Sequence, residues 1–240
     1  MMKDPAPREG DVRSQPAYRL PEAAHYLRLP TSTLRAWLLG QDYGDPGARR
    51  RFLPAISIAD GEGARLSFLN FVEAHVLSAL RRKHNVSLQQ IRKATTYLRK
   101  EMGSEHPLAM HQFETDGLSI FIDHLDQLIN VTKEGQLAMR ELFSAYLQRV
   151  EWDKDGVAAR LYLFTRKFRE GITEREPRAV VIDPRVSFGL PVLAGTGLRT
   201  AVIAERYKAG ETMEELAIDY ARPLSEIEEA IRCELELKAA

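Results

Sequence analysis

The chain has 240 residues, 34 Lys or Arg against 34 Asp or Glu, and 44% hydrophobic residues, enough for one large domain or two ordinary ones. It has no apolar run long enough to span a bilayer, and its one cysteine, Cys233, excludes a disulfide framework and fits a reducing cytoplasm. The zero net charge hides a division: residues 1 to 100 hold 17 bases and 9 acids, residues 101 to 240 hold 17 and 25, so the halves carry +8 and −8 and suit different partners.

Met1 to Gln15 is polar and proline-containing and reads as a frayed tail rather than a signal peptide. Pro21 then suits the first position of a helix whose inner face is Ala23, Ala24 and Leu27. Leu29-Pro30 breaks that helix, because the residue before a proline is pushed out of the helical region. Thr31 or Ser32 can cap a second helix that turns Leu34, Trp37 and Leu38 inward and stops at Gly40. Two short helices joined by a tight turn form a helix-turn-helix, whose second helix offers its first turn to a major groove. Here that turn carries Thr31, Ser32, Thr33 and Arg35, small hydroxyls and one cation suited to base edges and phosphates.

Arg49, Arg50 and Arg51 precede two β-prone runs, Phe52–Ile58 and Ala64–Phe68, which flank the turn Asp60-Gly61-Glu62-Gly63 and read as a hairpin, the wing of the module. Ser67 caps a helix over Leu69 to Lys83. Ser87 with Gln90 has capping-box spacing and opens a helix carrying Leu88, Ile91, Ala94, Thr95 and Leu98 to near Gly103. Tyr18-Arg19-Leu20-x-Glu22-Ala23-Ala24, Thr31-x-Thr33-Leu34-Arg35-x-Trp37 and Arg65-Leu66-Ser67 resemble the MerR-type winged-helix module. The resemblance implies that Arg28, Thr31 to Arg35 and Arg65 lie at operator DNA and that the wing arginines Arg49, Arg50 and Arg51 grip its backbone.

Beyond Ser104 the patterning is weaker. Met110–Glu114, Leu118–Asp123 and Leu125–Val131 read as strands, Leu137–Val150 as a helix with Leu137, Leu142, Tyr146 and Leu147 inward, and Ala158–Phe164 as a strand after a polar turn. This predicts a small α+β unit, whose aromatics would line either a core or a ligand pocket. Lys167 to Arg178 is charged and reads as a linker. Ala179–Ile182 is a buried-type strand stopped by Asp183-Pro184, followed by a glycine-rich loop that lacks a phosphate-binding fingerprint.

Three helices close the chain: Thr200–Lys208, Met213–Tyr220 behind the capping box Thr212/Glu215, and a last one to Leu237 behind the box Ser225/Glu228. They resemble a second helix-turn-helix, but residues 201 to 240 carry 10 acids and 5 bases, which favours a protein partner over DNA. Val181-Ile182-Asp183-Pro184, Phe188-Gly189-x-Pro191-Val192-x-Ala194-Gly195-Thr196 and Gly210-Glu211-x-x-Glu214-Glu215-x-Ala217-x-Asp219-Tyr220 resemble the small bacterial domain of unknown function found in VapB-like antitoxins. That family implies a PIN-like ribonuclease toxin as partner, with Gly189, Pro191, Gly195, Thr196, Arg199 and Tyr220 as the residues that would meet it. The family commonly has arginine after Ala-Gly-Thr; this chain has Gly197 there and its arginine at Arg199.

The expected fold class is therefore α+β and predominantly helical. It comprises a winged helix-turn-helix over 17–103, a middle α+β segment and linker over 104–177, and a three-helix module over 178–240. The expected function is a cytoplasmic, homodimeric type II antitoxin that binds operator DNA and a PIN-like ribonuclease toxin. The alternative is a MerR-like regulator whose middle segment senses a small molecule. The six histidines are scattered and no HExxH, Cys/His or Gly-x-Ser-x-Gly spacing occurs, so neither catalysis nor a metal or cofactor is expected.

Overall fold

The computed structural model describes residues 10–43, 50–58, 60, 65–83, 86–166 and 177–235. Contacts divide the chain into two compact units, Met1–Ala159 and Arg160–Ala240.

In the first unit, β1 (Tyr18–Arg19) leads into α1 (Leu20–Tyr26), α2 (Thr31–Leu39), β2 (Gln41–Tyr43), β3 (Arg50–Phe52), β4 (Arg65–Leu66) and α3 (Phe68–Lys83). α3 is its axis, with every residue from Leu66 to Leu80 buried. A helix apolar nearly all round needs neighbours on all sides. They include α6 (Lys133–Leu147), and α4 (Leu88–Met102) packs in turn on α5 (Leu118–Ile129). The polar residues of α3 are satisfied internally, as buried polar groups must be. Asn70 Nδ2 donates to the Ser57 carbonyl at 2.8 Å, His75 Nε2 lies 3.1 Å from the Tyr146 carbonyl, and Glu73 meets His106 at 3.0 Å. Ser67 caps α3 as expected, its Oγ accepting from the Asn70 N–H at 3.2 Å. The Ser87/Gln90 box closes at 2.8 and 3.3 Å, and α4 ends on left-handed Gly103.

Several expectations are corrected. The stretch from Met110 to Val131 is not strands but a π turn (Phe113–Gly117) running into α5. Over six residues Leu118–Asp123 alternates, but over a longer window Leu118, Phe121, Ile122 and Leu125 follow the helical period and are all buried. The helix expected over Leu137–Val150 begins earlier, at Lys133, capped by Thr132, whose Oγ1 accepts from the Gly135 N–H at 3.1 Å; Leu137 points outward, 59% exposed. Phe113, Phe121 and Phe143 pack edge to face with centroids 5.7 to 6.2 Å apart, and all are at most 1% exposed, so these rings fill a core.

The end of the presumed tail is tied down. Val12–Ser14 is a short 3-10 turn, and buried Arg13 meets Asp11 and Asp153 at 2.6 Å each and donates to the Ala158 carbonyl at 3.2 Å. β5 (Val150–Trp152) is followed by a turn that Asp153 holds by accepting from the Asp155 and Val157 N–H groups, both at 2.9 Å. Hydrogen bonds from Val157, Arg13 and Asp155 outweigh the effect of its burial and hold the Asp153 carboxyl below the usual range.

The second unit begins within β6 (Ala158–Tyr162), whose Leu161 and Tyr162 pair antiparallel with β7 (Val180–Ile182), and β7 pairs with β8 (Val192–Leu193). Three helices follow, α7 (Thr200–Lys208), α8 (Met213–Asp219) and α9 (Leu224–Glu234), with α9 against α7, α8 and the sheet. Of the expected linker, Lys167 to Arg178, residues 167–176 lie outside the described residues, as does the chain beyond Leu235. The Thr212/Glu215 box closes as expected, but the Ser225/Glu228 box does not form. Pro223 takes the cap position of α9, and Glu228 is drawn instead to Arg232 at 3.2 Å. Glu229, 1% exposed, is held by Thr165, by Arg166 at 2.5 Å and by Arg232 at 2.8 Å, and Cys233 is buried near the helix end. Among the described residues no helix is long and apolar enough to cross a membrane, and no group of three His, Cys, Asp or Glu is placed to hold a metal ion.

Candidate DNA interface and partner-binding face

The turn between α1 and α2 is set by backbone bonds. Arg28 takes a left-handed conformation (φ 53°), and the Leu29 N–H reaches back to the Ala24 carbonyl at 2.9 Å, closing a Schellman-type stop. Pro30, not Thr31 or Ser32, is the cap residue of α2, because its carbonyl already accepts from the Thr33 and Leu34 N–H groups at 2.9 and 3.2 Å. The hydroxyls are therefore not spent as caps. Thr31, Ser32 and Arg35 are exposed and Thr33 half-buried, while Leu34, Trp37 and Leu38 anchor the opposite face at 0, 4 and 1% exposure. The helix is thus fixed from behind and polar in front, as a reading helix needs to be.

The hairpin lies elsewhere than expected. β2 pairs with β3, Asp42 opposite Arg51 and Tyr43 opposite Arg50, while β4 pairs with β1. Pro54 interrupts the expected first strand, and the Ala55 and Ile56 N–H groups go to the Trp37 carbonyl at 2.8 and 3.1 Å, leaving no ladder along that run. Among the described residues, Asp60 of the expected turn forms an isolated bridge with Arg65. Gly40 turns α2 into β2 with φ 77°; a Cβ there would stand 2.1 Å from the Phe52 carbonyl oxygen, so the turn requires glycine.

The arginines divide accordingly. Arg51 is exposed but donates to the Leu39 carbonyl at 3.1 Å, covering the C-terminal end of α2, and lies 4.0 Å from Asp42. Arg50 is on β3, and Arg49 lies outside the described residues. Arg65 is exposed on the other ladder, opposite Arg19, and Arg28 is half-buried in the turn. Ser32, Thr33, Arg35 and Gln41 line a groove of about 710 Å³, whose far wall is Val86, Leu88 and Ile91. Gln41 and the start of α4 were not anticipated; only a nonlocal fold brings them there.

In the second unit, the loops around β8 are built by internal bonds. Asp183 accepts from the Arg185 N–H at 2.9 Å and from Arg160 Nε at 2.8 Å. Gly189 is left-handed and buried; buried Pro191 offers its carbonyl to the Thr200 N–H and hydroxyl at 3.1 and 3.2 Å. Thr196 Oγ1 donates to the Leu193 carbonyl at 2.8 Å and accepts from the Leu198 N–H at 3.0 Å. These three residues shape the loops from within, whereas Gly195 and Arg199 are exposed. Tyr220 caps α8 beneath Arg206, whose guanidinium lies 5.0 Å from its ring centroid and pairs with Glu211 and Asp219. Hydrogen bonds to Glu211, then Asp219 and Tyr220, raise the Arg206 pKa further, and Arg206 holds the Glu211 carboxyl below its usual range. Phe188, part of the C-terminal motif but not among the residues expected to meet a partner, stands 95% exposed in the turn before Leu190.

Residues 16–95 match a family described as "Putative DNA-binding HTH domain", and residues 180–232 match "Protein of unknown function (DUF433)". The chain is 30% identical over 232 residues to the Mycobacterium tuberculosis protein named "Putative antitoxin VapB45", covering 90% of this chain and 92% of that one. It is 25% identical over 225 residues to the uncharacterized protein Rv2308 of the same organism, covering 89% and 88%. The crystal structure of Rv2018 from Mycobacterium tuberculosis is similar in fold, with a TM-score of 0.64 and 27% identity over 90% of this chain and 98% of that one.

Proposed function

This chain belongs to the family of the mycobacterial protein VapB45, and we propose that it is a DNA-binding antitoxin of a type II toxin–antitoxin pair. The observation that carries the reading is the front of α2. Thr31, Ser32 and Arg35 stand at the surface on a helix locked from behind by Leu34, Trp37 and Leu38, within a segment that matches a DNA-binding helix-turn-helix family. The first turn of α2 enters the major groove in the MerR-like manner, with the β2–β3 hairpin and its arginines along the backbone. The antitoxin name of a relative matched over almost its whole length supports the second half of the reading.

In this reading residues 17–103 bind the operator and 178–240 hold a PIN-like ribonuclease in the cytoplasm. The chain acts as a homodimer, because a helix-turn-helix commonly reads a two-fold operator as a pair. Co-expression with the PIN-like gene beside its own tests the proposal. The expected result is a stable complex, an inactive ribonuclease, and retardation of DNA from the shared promoter. An active ribonuclease that elutes separately would overturn the antitoxin half; failure to bind promoter DNA would overturn the other.

A further inference from the structure

Ser187 and Phe188 are consecutive non-glycine residues in the left-handed region, at φ 47° and 58°. L-residues adopt this conformation only against a steric cost, and where it persists the surroundings enforce it. The enforcement is local. The Gly189 N–H donates to the Val186 carbonyl at 2.9 Å, the Leu190 N–H to the Ser187 carbonyl at 3.1 Å, and the Ser187 hydroxyl to the Gly197 carbonyl at 3.1 Å. Gly189, Val192 and Leu193, which follow in the chain, are all buried. The ring of Phe188 gains nothing from this arrangement, since it is 95% exposed. One exposed apolar side chain is ordinary, but an aromatic held outward by a strained, hydrogen-bonded backbone is not.

The charge along its own stretch of chain is one-sided. No Asp or Glu occurs between Pro184 and Thr200, and the cations of that stretch, Arg185 and Arg199, are both exposed. The nearest acid in sequence, Asp183, is only 7% exposed and already engaged by Arg160 and the Arg185 N–H. The loops therefore offer one outward aromatic ring on a hydrogen-bonded backbone and two guanidinium groups. Surfaces that bind single-stranded nucleic acid stack successive bases on several aromatics, so a lone ring suits a protein pocket better. Buried aromatic anchors dominate protein interfaces, and a pre-ordered anchor avoids the entropy of being fixed on binding.

We propose that Phe188 is the anchor residue of the C-terminal unit, seating in an apolar pocket of the ribonuclease toxin whose rim carries carboxylates that meet Arg185 and Arg199. This rests on the antitoxin reading above. The test is a titration of the full-length chain with the purified PIN-like ribonuclease encoded beside it, alongside thermal unfolding of the chain alone. Phe188→Ala is expected to weaken binding at least about thirty-fold without lowering Tm. Phe188→Gly is expected to weaken binding as much and to raise Tm, because glycine accepts the left-handed conformation freely. Phe188→Trp keeps most of the affinity. Wild-type affinity in Phe188→Ala, or a Tm several degrees lower, would overturn the inference while leaving the antitoxin reading intact. Loss of operator binding in place of toxin binding would assign the face to nucleic acid and also overturn it. If the wild-type chain itself does not bind the ribonuclease, the inference and the antitoxin reading fall together.

Discussion

The His106 imidazole faces a carboxylate that has almost no water. Glu73 is 1% exposed at its side chain, His106 19%, and they meet at 3.0 Å between Nδ1 and Oε2. Burial pulls the His106 pKa down, but the hydrogen bond and charge of Glu73 prevail, aided by Glu105 and opposed by Arg99, so it lies above the ordinary value near 6.5. A histidine whose folded pKa is raised contributes stability that is complete below about 6.5 and is lost as pH climbs through the folded value. His106→Gln should therefore cost on the order of 2 kcal/mol near pH 6 and less at pH 8.5. Urea unfolding of both proteins across that range checks this; parallel pH profiles would mean that the pair does not titrate as described.

Among the elements, what could be read in advance was mostly local, although a proline took the cap position expected of Thr31 or Ser32 in α2 and of Ser225 in α9. The boxes Ser87/Gln90 and Thr212/Glu215, the stop at Gly103 and the inward face of α2 each depend on residues within a turn or two, and all formed. The wing was misplaced because strand pairing is not local: Arg65–Leu66 found Tyr18–Arg19, and Arg50–Phe52 found Gln41–Tyr43. Arg13 was hidden for the same reason, since its partner Asp153 lies 140 residues away. The exposure of Phe188 is not legible in the motif that contains it, because nothing in composition tells an exposed aromatic from a buried one. Two substitutions probe elements directly. Gly40→Ala puts a Cβ 2.1 Å from the Phe52 oxygen at φ 77°, so it should destabilise the first unit by about 2 kcal/mol or more. A shift in denaturation midpoint reports it, and wild-type stability would show that the hairpin can move aside. Thr212→Ala removes the acceptor for the Glu215 N–H at 3.2 Å and should cost about 1 kcal/mol in the second unit. Glu215, held below its usual pKa by its bonds from the Thr212 N–H and hydroxyl, adds stability present above about pH 4.5 and lost as pH falls through its lower folded value, so the Thr212→Ala deficit should shrink in acid.

At the scale of the whole molecule the charge division becomes a measurable property. Under the proposed function the +8 of residues 1 to 100 would meet phosphates, each contact releasing counterions, so operator affinity should fall linearly with salt on a log–log plot by about 0.9 per phosphate neutralised. Arg35 is exposed at the front of α2, and under the proposed function a phosphate contact there would occur once per chain. Arg35→Ala should then flatten the slope by about 0.9 if one chain binds and by about 1.8 if two do, since a symmetric dimer loses both copies of the contact. The salt titration thus reports the stoichiometry on DNA as well as the contact. The expected change is the larger one. A change near 0.9 would overturn the dimer, and an unchanged slope with unchanged affinity would remove Arg35 from the phosphate-binding face altogether. An unchanged slope with weaker affinity would instead place Arg35 on a base edge, where the loss depends on sequence and not on salt.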